Sequence, residues 1–121
     1  MAINRVELVG VVGYVDIKYT DNGTAITTIS VGFKNGKKRE DGKDDYDSIF
    51  IKFISGENSK TRVAEEVAEC SKGDYIRVIG SLKVDKFTPK GSDKAVEKLS
   101  VIGWKFSKVE YDPTTRTWQD V

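Results

Sequence analysis

Apolar and polar residues alternate along most of this chain, and one short stretch departs from that rhythm. Period two marks a strand with one buried face, and period 3.6 marks an amphipathic helix. Ile3 to Tyr14 is rich in valine and reads as a first strand, bent where Gly10 and Gly13 fall inside it. Asp21-Asn22-Gly23 is a turn, because Asn-Gly adopts positive φ at little steric cost. Ala25 to Phe33 is a second strand carrying threonines, Ile29, Val31 and Phe33. Lys34 to Asp45 contains no apolar residue and two glycines, and is expected to be a long mobile loop.

Tyr46 to Ile54 is a third strand. Ser59 to Cys70 is the one helix, with Val63, Ala64, Val67 and Ala68 facing inward and Glu65, Glu66 and Glu69 outward. Lys72-Gly73-Asp74 ends it, with glycine where a C-terminal cap sits. Tyr75 to Phe87 is a long alternating strand, Thr88 to Lys94 a turn containing Pro89 and Gly91, and Val96 to Tyr111 the last strand. The order is three strands, one helix, two strands. That order predicts an all-β domain with one short helix over residues 1–111, a small closed barrel with the layout of the five-stranded oligonucleotide-binding (OB) barrel; another small β-barrel or a half-open α+β sheet is the alternative. Residues 112–121 are expected to be a short flexible tail.

Strand parity separates the core from the outer face. In the third strand Ile49, Ile51 and Phe53 point inward, and Tyr46, Ser48, Phe50 and Lys52 point outward. In the fourth, Ile76, Val78, Leu82 and Val84 share one parity, while Arg77, Ile79, Ser81, Lys83, Asp85 and Phe87 share the other. Rings interleaved with bases suit single-stranded nucleic acid: bases stack on the rings while lysine and arginine follow the phosphates. The same rings are also what a subunit interface presents. Trp104 shares the parity of Ile102 and Phe106, which leaves core, interface and binding face open.

Composition narrows the chemistry. The chain has 121 residues, the size of one domain, with 20 basic and 19 acidic side chains and a net charge of +1. That balance argues against coating duplex DNA by bulk charge. The one basic stretch lies between Lys72 and Lys108, with nine bases against four acids. There is no histidine, which excludes His-dependent acid–base chemistry and most zinc and iron sites. Gly56-Glu57-Asn58-Ser59-Lys60-Thr61 lacks the glycines a phosphate loop needs. Asp41, Asp44, Asp45 and Asp47 could gather a cation, but they lie in a segment expected to be too flexible to hold fixed metal geometry. No catalytic residue, metal site or cofactor is expected, and the protein is not read as an enzyme. A single cysteine, Cys70, and the lack of a signal-peptide pattern or a long apolar run fit a cytoplasmic protein without a membrane span.

In order along the chain stand Asn4-Arg5-Val6-Glu7-Leu8-Val9-Gly10, Lys18-Tyr19-Thr20-Asp21-Asn22-Gly23 and Ile29-Ser30-Val31. They are followed by Tyr46-Asp47-Ser48-Ile49-Phe50-Ile51 and by Lys72-Gly73-Asp74-Tyr75-Ile76-Arg77-Val78-Ile79-Gly80-Ser81-Leu82. In this order the set resembles the bacterial and phage single-stranded-DNA-binding proteins, over residues 3 to 111. The resemblance implies an OB barrel that coats single-stranded DNA in replication, recombination and repair. It also implies a homo-oligomer, a tetramer before a dimer, and contacts with replication and recombination proteins. Family members stack bases at the positions held here by Tyr46 and Phe87. Where they often have a ring in the loop after the second strand, this chain has Lys37, Lys38 and Arg39, which predicts less stacking and more salt-sensitive binding. Bacterial members end in a linker and an acidic, Phe-tipped peptide. The ending Trp118-Gln119-Asp120-Val121 does not match it, and is more like a phage-encoded form.

The expected site therefore has Tyr46, Phe50 and Phe87 as stacking platforms. Lys52, Arg77, Lys83 and Lys86 would meet phosphates, and Lys34, Lys37, Lys38 and Arg39 would form a mobile clamp. The alternative is an OB module that binds RNA or serves replication through protein contacts.

Overall fold

The computed structural model describes residues 2–121. It contains strands β1 (Val6–Tyr19), β2 (Ala25–Lys38), β3 (Asp44–Ser55), β4 (Tyr75–Phe87), β5 (Val96–Asp112) and β6 (Thr117–Asp120), and one helix, α1 (Val63–Ala68). The ladder order is β3-β2-β1-β4-β5-β6, and a further pairing joins β3 to β5. That pairing is parallel, with Ile51, Lys52 and Phe53 against Val101, Ile102 and Gly103, and it closes the first five strands into a barrel. The all-β architecture with one short helix, and the OB order of strands, are those expected.

Closure brings backbone close to its neighbours at glycines, among them Gly103 and Gly10. A Cβ on Gly103 would lie 2.4 Å from the Phe53 ring, and one on Gly10 would lie 2.2 Å from the Gly32 carbonyl oxygen. Only glycine fits at either place. The core is built from alternate residues of the strands: Val12, Ile29, Val31, Ile51, Phe53, Ile76, Val78 and Val101, with Ala64, Val67 and Cys70 of the helical segment laid over one end. Burial raises the Cys70 thiol above its ordinary range.

The helix is shorter than its apolar pattern predicts. Gly56 to Ser59 form a turn instead, closed by Ser59 N–H to the Gly56 carbonyl at 3.1 Å and by Gly56 N–H to Ser59 Oγ at 2.8 Å. The helix start is capped from another element. Ser55 Oγ of β3 accepts the Ala64 N–H at 3.0 Å, and the buried Thr27 hydroxyl donates to the Ala64 carbonyl.

Two segments differ from their sequence expectation. Part of Lys34 to Asp45, read as loop, extends β2 to Lys38 and β3 back to Asp44, with an irregularity between the Lys34–Tyr46 and Lys38–Asp44 pairs, and Gly36 and Gly42 take φ of 83° and 82° where the hairpin kinks and turns. Backbone ladder bonds need no apolar side chain, so composition hides them. Residues 112–121, read as a loose tail, turn back at Pro113–Arg116 and add β6 to the edge of β5. Trp118 anchors that strand: its ring stacks on Tyr75 at 5.1 Å and 22°.

Beyond the barrel wall β4 and β5 continue as a two-stranded ribbon from Leu82–Val101 to Phe87–Val96. Leu82 and Val84 keep the inward parity of β4, yet they are 46% and 51% exposed, because the ribbon has left the core. The whole chain exposes 8874 Å², against about 6,500 Å² for a compact monomer of this mass.

Candidate nucleic-acid interface

The outer face of β1, β2 and β3 is a ruled surface whose rows follow the ladder. Opposite residues share a face and sit within reach of one another. Asp16, Thr28 and Lys52 form one row, and Tyr14, Ser30 and Phe50 the next. Val11, Gly32 and Ser48 follow, and then Lys34 opposite Tyr46. Tyr46 and Phe50 are four residues apart on one strand, about 13 Å along its axis.

Phe50 is 60% exposed and Tyr46 43%, so both rings present open faces. Tyr14 meets Phe50 edge to face at 6.1 Å and 83°. The sequence reading missed Tyr14. Its orientation depends on the bulge between Val12 and Tyr14, which shifts parity by one and turns Tyr14 outward. Gly13 inside that bulge was the available signal.

Three bases of the β2–β3 hairpin are held by carboxylates. Lys34 Nζ lies 3.1 Å from Asp44, Lys38 pairs with the same carboxylate, and Arg39 lies 3.9 Å from Asp45. The Asp44 carboxyl is pushed below its ordinary range by hydrogen bonds from Lys38 and Lys34, and the Lys34 ammonium is raised in turn by Asp44. Asn35 donates to Asp45 at 3.0 Å and to Asp47 at 3.1 Å, and that first bond lowers Asp45. These aspartates are thus partners of the hairpin's own side chains. Lys37 and Lys52 form no ion pair among the described residues.

On the β4–β5 ribbon the two-residue period sorts the remaining residues. Lys83, Asp85 and Phe87 share one face with Ser100, Lys98 and Val96 opposite them. Lys86 lies on the other face with Glu97, 3.8 Å away, and shares it with Leu82, Val84 and Leu99. Lys86 is therefore not beside Phe87 in space, although it precedes it in sequence. Phe87 itself is 47% exposed at the ribbon's end.

Arg77 is not a free surface base. Its Nη2 donates to the Trp118 carbonyl at 2.9 Å, and its Nη1 lies 3.8 Å from Asp120. Trp104 is exposed and excluded from the core. Ile79 pairs with Lys105 but Gly80 with Gly103, so Trp104 is the extra residue of a bulge and points out of the ladder. It lies near Lys60, Arg62 and Val63 at the helix start, away from the Tyr46–Phe50 rows.

A cleft of about 550 Å³ borders Tyr46. Lys34 and Tyr46 form one wall, Tyr75, Tyr111 and Trp118 the other, and Gly10 and Gly32 lie between. Neither Tyr75 nor the two C-terminal rings was assigned to the site from the sequence, because their meeting depends on the fold of residues 112–121.

Relatives agree with this architecture. A single-stranded DNA-binding protein of Xylella fastidiosa is 34% identical over 102 residues, covering 80% of this chain and 58% of that protein. The single-stranded DNA binding protein from Thermus aquaticus, solved as a deletion mutant, superposes with a TM-score of 0.64 at 22% identity, over 89% of this chain and 51% of that one. A Plasmodium falciparum SSB solved in complex with ssDNA gives 0.68 at 19% identity, over 91% of this chain and 97% of that one. This chain spans little more than half the length of the Xylella and Thermus proteins. The profile of the Single-strand binding protein family matches residues 3–108. With that match across nearly the whole barrel, the chain belongs to the single-strand binding protein family.

Proposed function

We propose that this protein binds single-stranded DNA with little sequence preference and protects it in replication, recombination and repair. Bases stack on open rings while lysines neutralise phosphates. The observation that carries this reading is the ladder register of the outer face, which sets Phe50 and Tyr46 in rows with Lys34 opposite Tyr46 and Lys52 two residues from Phe50. Membership of the family supports it. Tyr46, Phe50 and Phe87 are the platforms, and Tyr14 backs Phe50 edge-on. Lys34, Lys37, Lys38, Arg39, Lys52 and Lys83 meet phosphates. Arg77 and Lys86 leave that set, because the first is held by β6 and the second faces away from Phe87. The activity is binding without chemistry, in the cytoplasm, where the reduced Cys70 thiol of the core is stable.

The test is fluorescence anisotropy of a labelled oligo-dT of a few tens of nucleotides at two salt concentrations. A duplex of equal length and a matched RNA run alongside. Salt-sensitive binding to the single strand, with weak binding to the duplex, is the expected result. No binding to the single strand at low salt sinks the reading, and tighter binding to RNA replaces the substrate.

A homo-oligomer, a tetramer before a dimer, accompanies this function. Leu82, Val84 and Leu99 make an exposed apolar face on the ribbon, which fits burial by a second copy. Light scattering on the eluting protein reads the mass directly, and a monomer at micromolar concentration removes the proposal.

A further inference from the structure

We infer that the cleft between Tyr46 and the C-terminal hairpin is a further nucleobase site, with Trp118 and Tyr75 as its platform. The inference rests on the single-strand reading above and extends the bound strand's path onto β6. Tyr75 and Trp118 stack at 5.1 Å and 22°, and Tyr111 meets Trp118 edge-on at 5.3 Å and 65°. Rings that served only to pin a hairpin would bury their faces against each other and the core. Here Tyr75 stays 42% and Tyr111 46% exposed, and the cluster opens onto a cleft of about 550 Å³. That volume is within the range of about 300–1,000 Å³ for small-ligand sites.

The chemistry of the cleft selects its occupant. The Tyr46 ring on one wall and the three rings of the other favour a flat, π-bearing group over an aliphatic one. Between them Gly10 and Gly32 open the floor, with Val9 and Phe33 beside them. Lys34 supplies a cation at the rim, held only by an exposed pair with Asp44 that a phosphate can replace. Tyr46 belongs both to this cleft and to the β3 face, so the site is continuous with the surface already assigned to the strand. A base attached to a phosphate backbone satisfies all three features.

The test uses the full chain. Trp104→Phe leaves Trp118 as the one remaining tryptophan of two. Titration with labelled oligo-dT follows anisotropy and Trp118 emission together, and emission is expected to fall in step with binding. Gly32→Val in the same background fills the floor. A Cβ there meets Val11 Cγ1 at 3.5 Å, an ordinary contact, and a thermal melt of the variant checks that the barrel is intact. The variant is expected to remove most of the quench and weaken binding by about 5- to 150-fold, the effect of losing one stacked base. An oligomer carrying 5-iodouracil, irradiated on the unaltered protein, is expected to crosslink to Tyr75, Tyr111 or Trp118, a readout that needs no variant.

Binding with unchanged Trp118 emission and no crosslink to these rings overturns the inference and leaves the proposed function standing. A quench that survives Gly32→Val also overturns it, since the hairpin is then perturbed from outside the cleft. Emission that changes with protein concentration alone assigns the cleft to a second copy of the chain. Absence of any binding overturns both readings.

Discussion

Arg77 Nη2 donates to the main-chain carbonyl of Trp118 at 2.9 Å, joining β4 to a strand 41 residues further along the chain. The same guanidinium lies 3.8 Å from Asp120, and the Arg77 side chain is 27% exposed. Arg77 is therefore a strut between the barrel and the C-terminal hairpin. Arg77→Ala is expected to lower stability by about 1–2 kcal/mol, a charge-assisted bond discounted for partial exposure. The salt dependence of oligo-dT binding is expected to keep its slope. Lys52→Ala, which removes a free surface cation, is expected to reduce that slope by about 0.7. Denaturant melts and a salt titration of both variants decide it, and equal loss of slope in the two would return Arg77 to the phosphate contacts.

Phe87 and Lys86 are neighbours in sequence and lie on opposite faces of the β4–β5 ribbon. Phe87→Ala is expected to weaken oligo-dT binding by about 1–3 kcal/mol, the range for one stacked base. Lys83→Ala, on the face of Phe87, is expected to reduce the salt slope by about 0.7. Both lysines have an exposed carboxylate partner, Asp85 for Lys83 and Glu97 for Lys86, but Lys86→Ala is expected to leave the slope unchanged because Lys86 lies on the face opposite Phe87, with Leu82 and Val84. The ordering of Lys83 and Lys86 is the sensitive point, and a reversed order rules out the assigned faces.

The strands were most legible where alternation ran unbroken between strong turns. Tyr75 to Phe87 has the bounds read from sequence, with Lys72-Gly73-Asp74 before it and Pro89 and Gly91 after it. Tyr46, Phe50 and Phe87 were readable as outward rings because parity is local. The parity of Tyr14 and Trp104 was not readable, since a bulge sits beside one and under the other. The strand extension to Lys38 looked like loop because the Lys38–Asp44 pairing is backbone, and side-chain composition does not report it. The Tyr75–Trp118 stack joins residues 43 apart through a hairpin whose sequence is polar and contains Pro113. Such a contact is a tertiary fact, outside the reach of any local pattern.

The helix over the barrel end hangs on two hydroxyls. Thr27 donates to the Ala64 carbonyl and Ser55 accepts from the Ala64 N–H, and both side chains are fully buried. Thr27→Val keeps the shape and removes one buried hydrogen bond to the Ala64 carbonyl, at an expected loss of about 1 kcal/mol. Ser55→Ala removes the cap for about 1 kcal/mol. The two act on one residue, so the double variant is expected to lose less than the sum. Additive losses in chemical denaturation would show that the hydroxyls support the helix independently.

Asp44 gathers two cations at the base of the β2–β3 hairpin, and its pH dependence has a definite sign. Lys38 and Lys34 hold its carboxyl below the ordinary range, so the folded hairpin favours the ionised form. A depressed carboxylate stabilises at every pH above its unfolded value, near about 4, and loses that contribution as pH falls through the folded value. Hydrogen exchange of the hairpin amides is therefore expected to be constant from about pH 5 to 8, once corrected for intrinsic rates, and to quicken only in acid. Asp44→Asn imposes the acid state at neutral pH. It also frees Lys34 and Lys38 for phosphate, so the salt slope of oligo-dT binding is expected to steepen by as much as about 0.7 for each lysine. The variant thus trades local order in the hairpin for stronger electrostatic binding, and a slope that stays put would show that the two lysines already reach the strand with Asp44 in place.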